Sequence, residues 1–175
     1  TLTTVEASAA GDYKVTVTNA AGSVDSDVVT LTVESPPTIT QLTESMSLIE
    51  GDSVELSVTA VGTAPITYQW SKGGVALDGA TGSSLSLVSV TPSDADDYKV
   101  AVSNGAGRVE SESITVTVAQ PASIVSQPEG GSAVLGETFV MSVVAAGTEP
   151  ISYQWHKGGQ AVAVASGSSL SLANV

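Results

Sequence analysis

The chain has no cysteine, which excludes a disulfide, a thiol nucleophile and a thiolate metal site. Histidine appears once, as His156. Basic residues are scarce: five Lys and Arg stand against eighteen acids, a formal net charge of −13. The acidity is spread along the chain. Residues 1–34 hold five acids and one base, residues 35–119 ten and three, and residues 120–175 three and one. A surface with no basic stripe repels phosphates, so nucleic acid and anionic membranes are excluded as partners. No apolar run approaches the roughly 18 residues needed to span a bilayer, so no membrane insertion is expected. There is no initiator Met and no signal peptide, and the numbering begins inside a strand-like run, which reads as a window on a longer chain. Helix formers are also few, and Val, Thr, Ser and Gly take their place. That composition favours strands and turns.

What is present is a repeat. Residues 66–70 read ITYQW and residues 151–155 read ISYQW, each followed one residue later by Lys-Gly-Gly. Trp70 and Trp155 are 85 residues apart, and the same offset carries Gly82–Leu87 (GSSLSL) onto Gly167–Leu172 (GSSLSL). Towards the N-terminus it carries Asp12-Tyr13-Lys14-Val15 onto Asp97-Tyr98-Lys99-Val100. No insertion or deletion is needed. The chain therefore reads as one complete repeat, 35–119, between the back end of a repeat, 1–34, and the front end of another, 120–175.

Within the complete repeat, apolar residues alternate with polar ones: Val54, Leu56 and Val58; Ile66, Tyr68 and Trp70; Leu85 and Leu87; Tyr98, Val100 and Val102; Ile114, Val116 and Val118. This is the period of half-buried strands. Glu50-Gly51-Asp52, Gly73-Gly74, Asp78-Gly79 and Asn104–Gly107 separate the runs with turn chemistry. Short strands about 10–15 residues apart with no helical pattern predict an antiparallel sandwich. Pro36-Pro37 and Pro121 mark the junctions.

The order Gly51-Asp52-Ser53-Val54-x-Leu56, Gly62 with Pro65, Trp70-x-Lys72, Leu85-x-Leu87, Asp94-x-Asp96-x-Tyr98 and Asn104-x-Ala106-Gly107 resembles an immunoglobulin-superfamily domain. The resemblance is to the intermediate (I-set) type found in tandem in bacterial surface and secreted proteins. It covers the whole chain. It implies an all-β fold of tandem immunoglobulin-like antiparallel sandwiches with Greek-key connections. By the same resemblance Trp70 and Trp155 are buried strand-C tryptophans, and Tyr98 and Tyr13 are tyrosine-corner residues. Residues 1–34 would hold the end of strand E with F and G; residues 120–175 would hold A through E. The family's cysteine pair falls at Val58 and Val100 in the complete copy, with Val143 and Val15 in the partial ones. All four are valine. A bridge across that loop would contribute roughly 4 kcal/mol in the chain-entropy model. Without it the valines hold the centre by packing, and the expected core set is Trp70, Trp155, Tyr13, Tyr98, Val15, Val58, Val100 and Val143. Asp96 also departs from the family, which usually has glycine there.

Candidate chemistry is thin. His156 follows Trp155 on the same strand and should point outward, and its counterpart in the complete repeat is Ser71. No nucleophile elbow and no Ser/His/Asp set lies within one repeat, so no enzyme is expected. Asp94, Asp96 and Asp97 could offer oxygens to Ca²⁺. Their counterparts in the first copy are Ala9, Gly11 and Asp12, so the plainer reading is a solvated turn, with no metal and no cofactor. Tyr68 and Tyr153 share the tryptophans' face by parity, which favours core packing over a sugar platform.

The expected function is a non-catalytic structural segment of an extracellular or cell-surface tandem array in a bacterium: a stalk, fibre or adhesin shaft. The alternative is an accessory module of a secreted enzyme, holding polysaccharide or a protein. The 75–79 stretch (VALDG) differs from the 160–164 stretch (QAVAV), which favours the alternative weakly. Expected partners are neighbouring repeats, in the same chain or in adjacent subunits. Val5, Val90 and Val175 lie at one phase of the repeat, so two chains could complete each other by strand addition. Against this, residues 1–5 and 171–175 both claim strand E.

Overall fold

The computed structural model describes residues 5–163 and 165–173. Residues 1–4, Val164 and residues 174–175 lie outside the described residues, and with them most of the expected 1–5 strand. Nearly all regular structure is strand, as the composition requires. The chain divides into two compact units. The first comprises 1–45, 54–87 and 96–115; the second comprises 46–53, 88–95 and 116–175.

In chain order, the first repeat supplies β1 (Gly11–Tyr13), β2 (Thr16–Asn19), β3 (Gly22–Asp25) and β4 (Val29–Leu31). The complete repeat supplies β5 (Thr38–Leu42), β6 (Met46–Ile49), β7 (Val54–Val61), β8 (Thr67–Lys72), β9 (Val75–Ala76), β10 (Ser84–Leu87), β11 (Asp96–Asn104), β12 (Gly107–Glu110) and β13 (Ile114–Ala119). The third repeat supplies β14 (Ser123–Ser126), β15 (Phe139–Ser142), β16 (Val144–Ala146), β17 (His156–Lys157), β18 (Gln160–Ala161) and β19 (Ser169–Leu172).

In the first unit, β10, β7 and β5 form one sheet, in that order. The other sheet runs β11, β8, β9, with β12 also on β11, and the start of β13 extends it. In the second unit the rest of β13 pairs with β6. That pairing is parallel, the one departure from the expected antiparallel pattern among the described ladders. β6 is short and runs alongside β13 in the same direction, from Met46 opposite Val116 to Ile49 opposite Ala119. The alternation predicts the burial. Leu56 and Val58 of β7, Trp70 of β8, Tyr98, Val100 and Val102 of β11, and Ile114 and Val116 of β13 are all buried, and the residues between them face outward or are half-exposed.

The repeat extends to register. Leu85 faces Leu56, and Leu170 faces Met141; Val102 faces Val109, and Val17 faces Val24. The irregularity between Ile39 and Gln41 recurs between Ile124 and Ser126. An 85-residue shift thus preserves strand pairing residue by residue.

Four expected core residues differ from the complete copy. Tyr13 is 47% exposed and Val15 58% exposed, against 1% and 0% for Tyr98 and Val100. Trp155 and Val143 are half-buried. The stretch 151–155 forms no strand, although its counterpart lies largely within β8. One cause covers all of these. In the complete repeat β8 pairs with β11, which puts Val100 opposite Trp70. The third repeat as given stops before any counterpart of β11, and the first has no counterpart of β8. Side chains of the right type therefore lack the opposite strand that would cover them.

Trp70 is fully buried, and its indole N–H donates to the Gly82 carbonyl at 3.0 Å. Truncating a buried aromatic of this size costs about 3–5 kcal/mol, against a domain stability of about 5–15 kcal/mol. With no disulfide to limit the unfolded state, Trp70→Ala is expected to leave the complete repeat at or near the edge of unfolding. Denaturant melts followed by circular dichroism check this; a loss under about 1 kcal/mol would contradict a core tryptophan.

Candidate functional site at the domain junction

The sequence-marked acids do not assemble a cation site. Asp94 accepts from the Thr91 amide and hydroxyl, both at 2.9 Å, as the third residue of a 3-10 turn at Pro92–Asp94 whose N-cap is Thr91. Asp96 accepts from the Asp97 amide at 2.8 Å, and Asp97 accepts from the Thr115 hydroxyl at 2.6 Å. Each carboxylate serves its own turn or hairpin. Among the described residues, no group of three His, Asp or Glu side chains is placed to hold a metal ion. His156 lies exposed on β17. Tyr68 and Tyr153 are half-buried.

Asp25 has a clear perturbation: hydrogen bonds from Lys14 at 2.6 Å and from Thr16 hold its carboxyl below the ordinary value. The pair lies in water, so screening leaves it little weight in stability. A lowered folded-state value means that its contribution is present above the ordinary carboxylate range and is lost as pH falls through the lowered one.

One polar geometry that repeats lies at the junctions. The Ser35 amide donates to the Thr63 hydroxyl at 2.8 Å, and the Thr63 amide donates to the Ser35 carbonyl at 3.1 Å. Eighty-five residues on, the Gln120 amide donates to the Thr148 hydroxyl at 2.7 Å, and the Thr148 amide returns a 3.0 Å bond to Gln120. One threonine thus closes a two-bond ring on the residue that begins each repeat. Asn104, at the β11–β12 turn, adds a second grip. Its amide group donates to the carbonyls of Ser35 at 2.7 Å and Thr63 at 2.9 Å, while its oxygen accepts from the amides of Ala106 and Gly107.

Close approach makes this possible. Gly62 sits at φ +158°, and a Cβ there would lie 3.0 Å from Pro37 Cα. Gly147, its counterpart, would meet Ala122 Cα at the same distance. A side chain at either position would push the linker off the loop. Pro37 is buried, and the Glu34 carboxylate lies beside Gly105. The reading from residue types alone missed Thr63, Thr148 and Asn104 as junction residues. Their identity at one offset, with Asn19 preceding Asn104, was the available signal.

Two sheets packed around a strand-C tryptophan, with a tyrosine on the facing strand, define an immunoglobulin-type sandwich. A family model described as "Immunoglobulin domain" matches residues 36–104. The chain is 42% identical over 103 residues to the basement membrane-specific heparan sulfate proteoglycan core protein of Mus musculus, covering 57% of this chain and 3% of that protein. It is 41% identical over 78 residues to the decoration protein of Escherichia phage T5, covering 44% of this chain and 47% of that protein. It is 28% identical over 163 residues to human hemicentin-1, covering 90% of this chain and 3% of that protein. The chain therefore spans less than half the length of these relatives. A three-immunoglobulin fragment of titin superposes with a TM-score of 0.84 at 20% identity, covering 98% of this chain and 66% of the fragment; at that identity it shows the fold. Residues 36–104 thus match an immunoglobulin domain, and the chain as a whole has the fold of tandem immunoglobulin-like domains. This family and fold are typically non-catalytic.

Two outcomes follow. Removing the Asn104 amide leaves the Ser35 and Thr63 carbonyls without that donor, a loss of about 1–3 kcal/mol. Asn104→Ala should lower the melting midpoint of the complete repeat, and Thr63→Val should speed exchange of the Ser35 amide selectively; unchanged exchange would show that the ring is not formed in solution. Millimolar calcium against chelator should leave the midpoint where it is, and a rise of more than a few degrees would reinstate Asp94, Asp96 and Asp97 as ligands.

Proposed function

We propose that this chain is a non-catalytic structural segment of a tandem immunoglobulin array: the stalk, fibre or adhesin shaft of an extracellular, cell-surface protein, bacterial by its sequence resemblance. The repeated junction carries the reading. A threonine ring, a glycine seat and buried Pro37 tie the linker to the domain it enters and leave it few free torsions, which supports a semi-rigid connection. A strand of about nine residues spans about 30 Å, and with its linker a repeat advances on the order of 40 Å. Net charge of −13 makes neighbouring arrays repel, which keeps an extended object dispersed. No helix among the described residues is long and apolar enough to cross a membrane.

The alternative is a binding module that presents a secreted enzyme or attaches to polysaccharide or protein. It draws on the β8–β10 connection, which changes between copies, and on the likeness to a phage decoration protein.

The chain lacks cysteine, so spin labels can be placed at will. With labels at exposed Val24 and Val75, the shaft reading predicts a narrow distance distribution that broadens when glycines are inserted between Glu34 and Ser35. A broad distribution across the natural junction would remove the support for a shaft and favour the module.

A further inference from the structure

Asn104 ties the start of the complete repeat to its own domain, and the residue that follows it is Gly105. We propose that Asn104–Gly105 is a modification site: it deamidates spontaneously, the closed junction restrains the reaction, and the product cannot close the junction again. The site stands whether or not the chain is a shaft.

The reaction needs no enzyme, asparagine being among the thermolabile side chains. The Gly105 amide nitrogen loses its proton to solvent and attacks Asn104 Cγ. The new C–N bond closes a cyclic imide as the Cγ–Nδ2 bond breaks, and Nδ2 takes a proton from water and leaves as ammonia. Water then opens the ring at either carbonyl. The net change is one water consumed and one ammonia released. It leaves aspartate at 104, or an isoaspartyl link in which the main chain runs through the former side chain. Glycine favours the attack, because no Cβ stands beside the nitrogen.

Nothing in the backbone requires glycine at 105. Gly105 does not have a positive φ, and the first copy places Ala20 at the same point of the same turn. Asn19 pairs with Gly22 as Asn104 pairs with Gly107. Each asparagine oxygen accepts from the amide two residues on, Ala21 at 2.8 Å and Ala106 at 3.0 Å. A Cβ at 105 would meet Glu34 Oε2 at 2.9 Å, the end of a flexible, exposed side chain that can give way.

The junction restrains the reaction through the leaving group. Asn104 is half-buried, and its Nδ2 donates to the carbonyls of Ser35 at 2.7 Å and Thr63 at 2.9 Å. Release of Nδ2 breaks both bonds, so the reaction runs from the opened junction and its rate follows the open population. The product acts in the opposite sense. A carboxylate has no proton to donate. It can still accept from Ala106 and Gly107, so the turn survives aspartate, but it sets an oxygen against two carbonyl oxygens that have lost their donor. The isoaspartyl form also lengthens the main chain between β11 and β12 and breaks the Asn104–Gly107 register. Either product releases Ser35 and Thr63, and no step of the chemistry restores the amide.

The test is peptide mass spectrometry of the full chain after prolonged incubation at neutral pH, native and in urea, with isoaspartyl methyltransferase labelling of the rerouted product. Conversion is expected at Asn104, slower in the native chain than in urea, with Asn19 converted far less. Thr63→Val removes the hydroxyl that holds the Ser35 amide, and should speed native conversion of Asn104 roughly fivefold, the worth of one hydrogen bond. Gly105→Ala should slow conversion several-fold in the native chain and in urea alike. Asn104→Asp should speed exchange of the Ser35 and Thr63 amides and leave the Ala106 and Gly107 amides protected. No conversion at Asn104 in urea overturns the site. A native rate equal to the rate in urea, or indifferent to Thr63→Val, overturns the restraint. Unchanged Ser35 and Thr63 exchange in Asn104→Asp overturns the loss of the tie.

Discussion

The pairing of β11 with β8 is the contact on which the rest depends. It sets Val100 beside Trp70 on the inner face and covers the largest apolar side chain of the repeat. Most of the buried hydrophobic residues belong to the complete repeat, and Trp70, Tyr98, Val100 and Val102 lie on the two strands this pairing joins. The partial copies act as internal controls. They carry the same residues, turns and local hydrogen bonds, yet Trp155 is only half-buried and Val15 lies in water. Local hydrogen bonds are thus present in each copy, while the central side chains are fully buried only where β8 and β11 pair. With no cysteine, there is no covalent tie to substitute for that pairing.

The junction follows the same logic with polar groups. Ser35 and Gln120 begin their repeats, and each exchanges two hydrogen bonds with a threonine in its own domain. Backbone groups that would otherwise need water are paired, and a glycine lets the chain pass close enough to pair them. The linker is thus part of the domain it enters.

Much of this was legible in the sequence, because the repeat has no insertions. Period-two alternation located β7, β8, β11 and β13, and the 85-residue offset carried their register into the partial copies. Burial of Tyr13, Val15, Val143 and Trp155 was misread, because alternation marks which face is apolar and not whether a second strand is there to cover it. The parallel β6–β13 ladder was not legible either: short edge strands carry no periodic signal of direction. Thr63 and Asn104 looked like ordinary loop residues. Their role comes from long-range bonds, of which only the recurrence at a fixed offset leaves a trace in sequence.

The claim that β11 pairing alone separates a finished domain from an open one is tested most directly by native-state hydrogen exchange at high dilution. The Trp70 and Trp155 amides make equivalent bonds, to Ala80 and to Ala165. Trp70 should exchange only through global unfolding of its domain, and Trp155 should exchange orders of magnitude faster through local opening. Equal protection of the two amides in dilute monomer would contradict the claim.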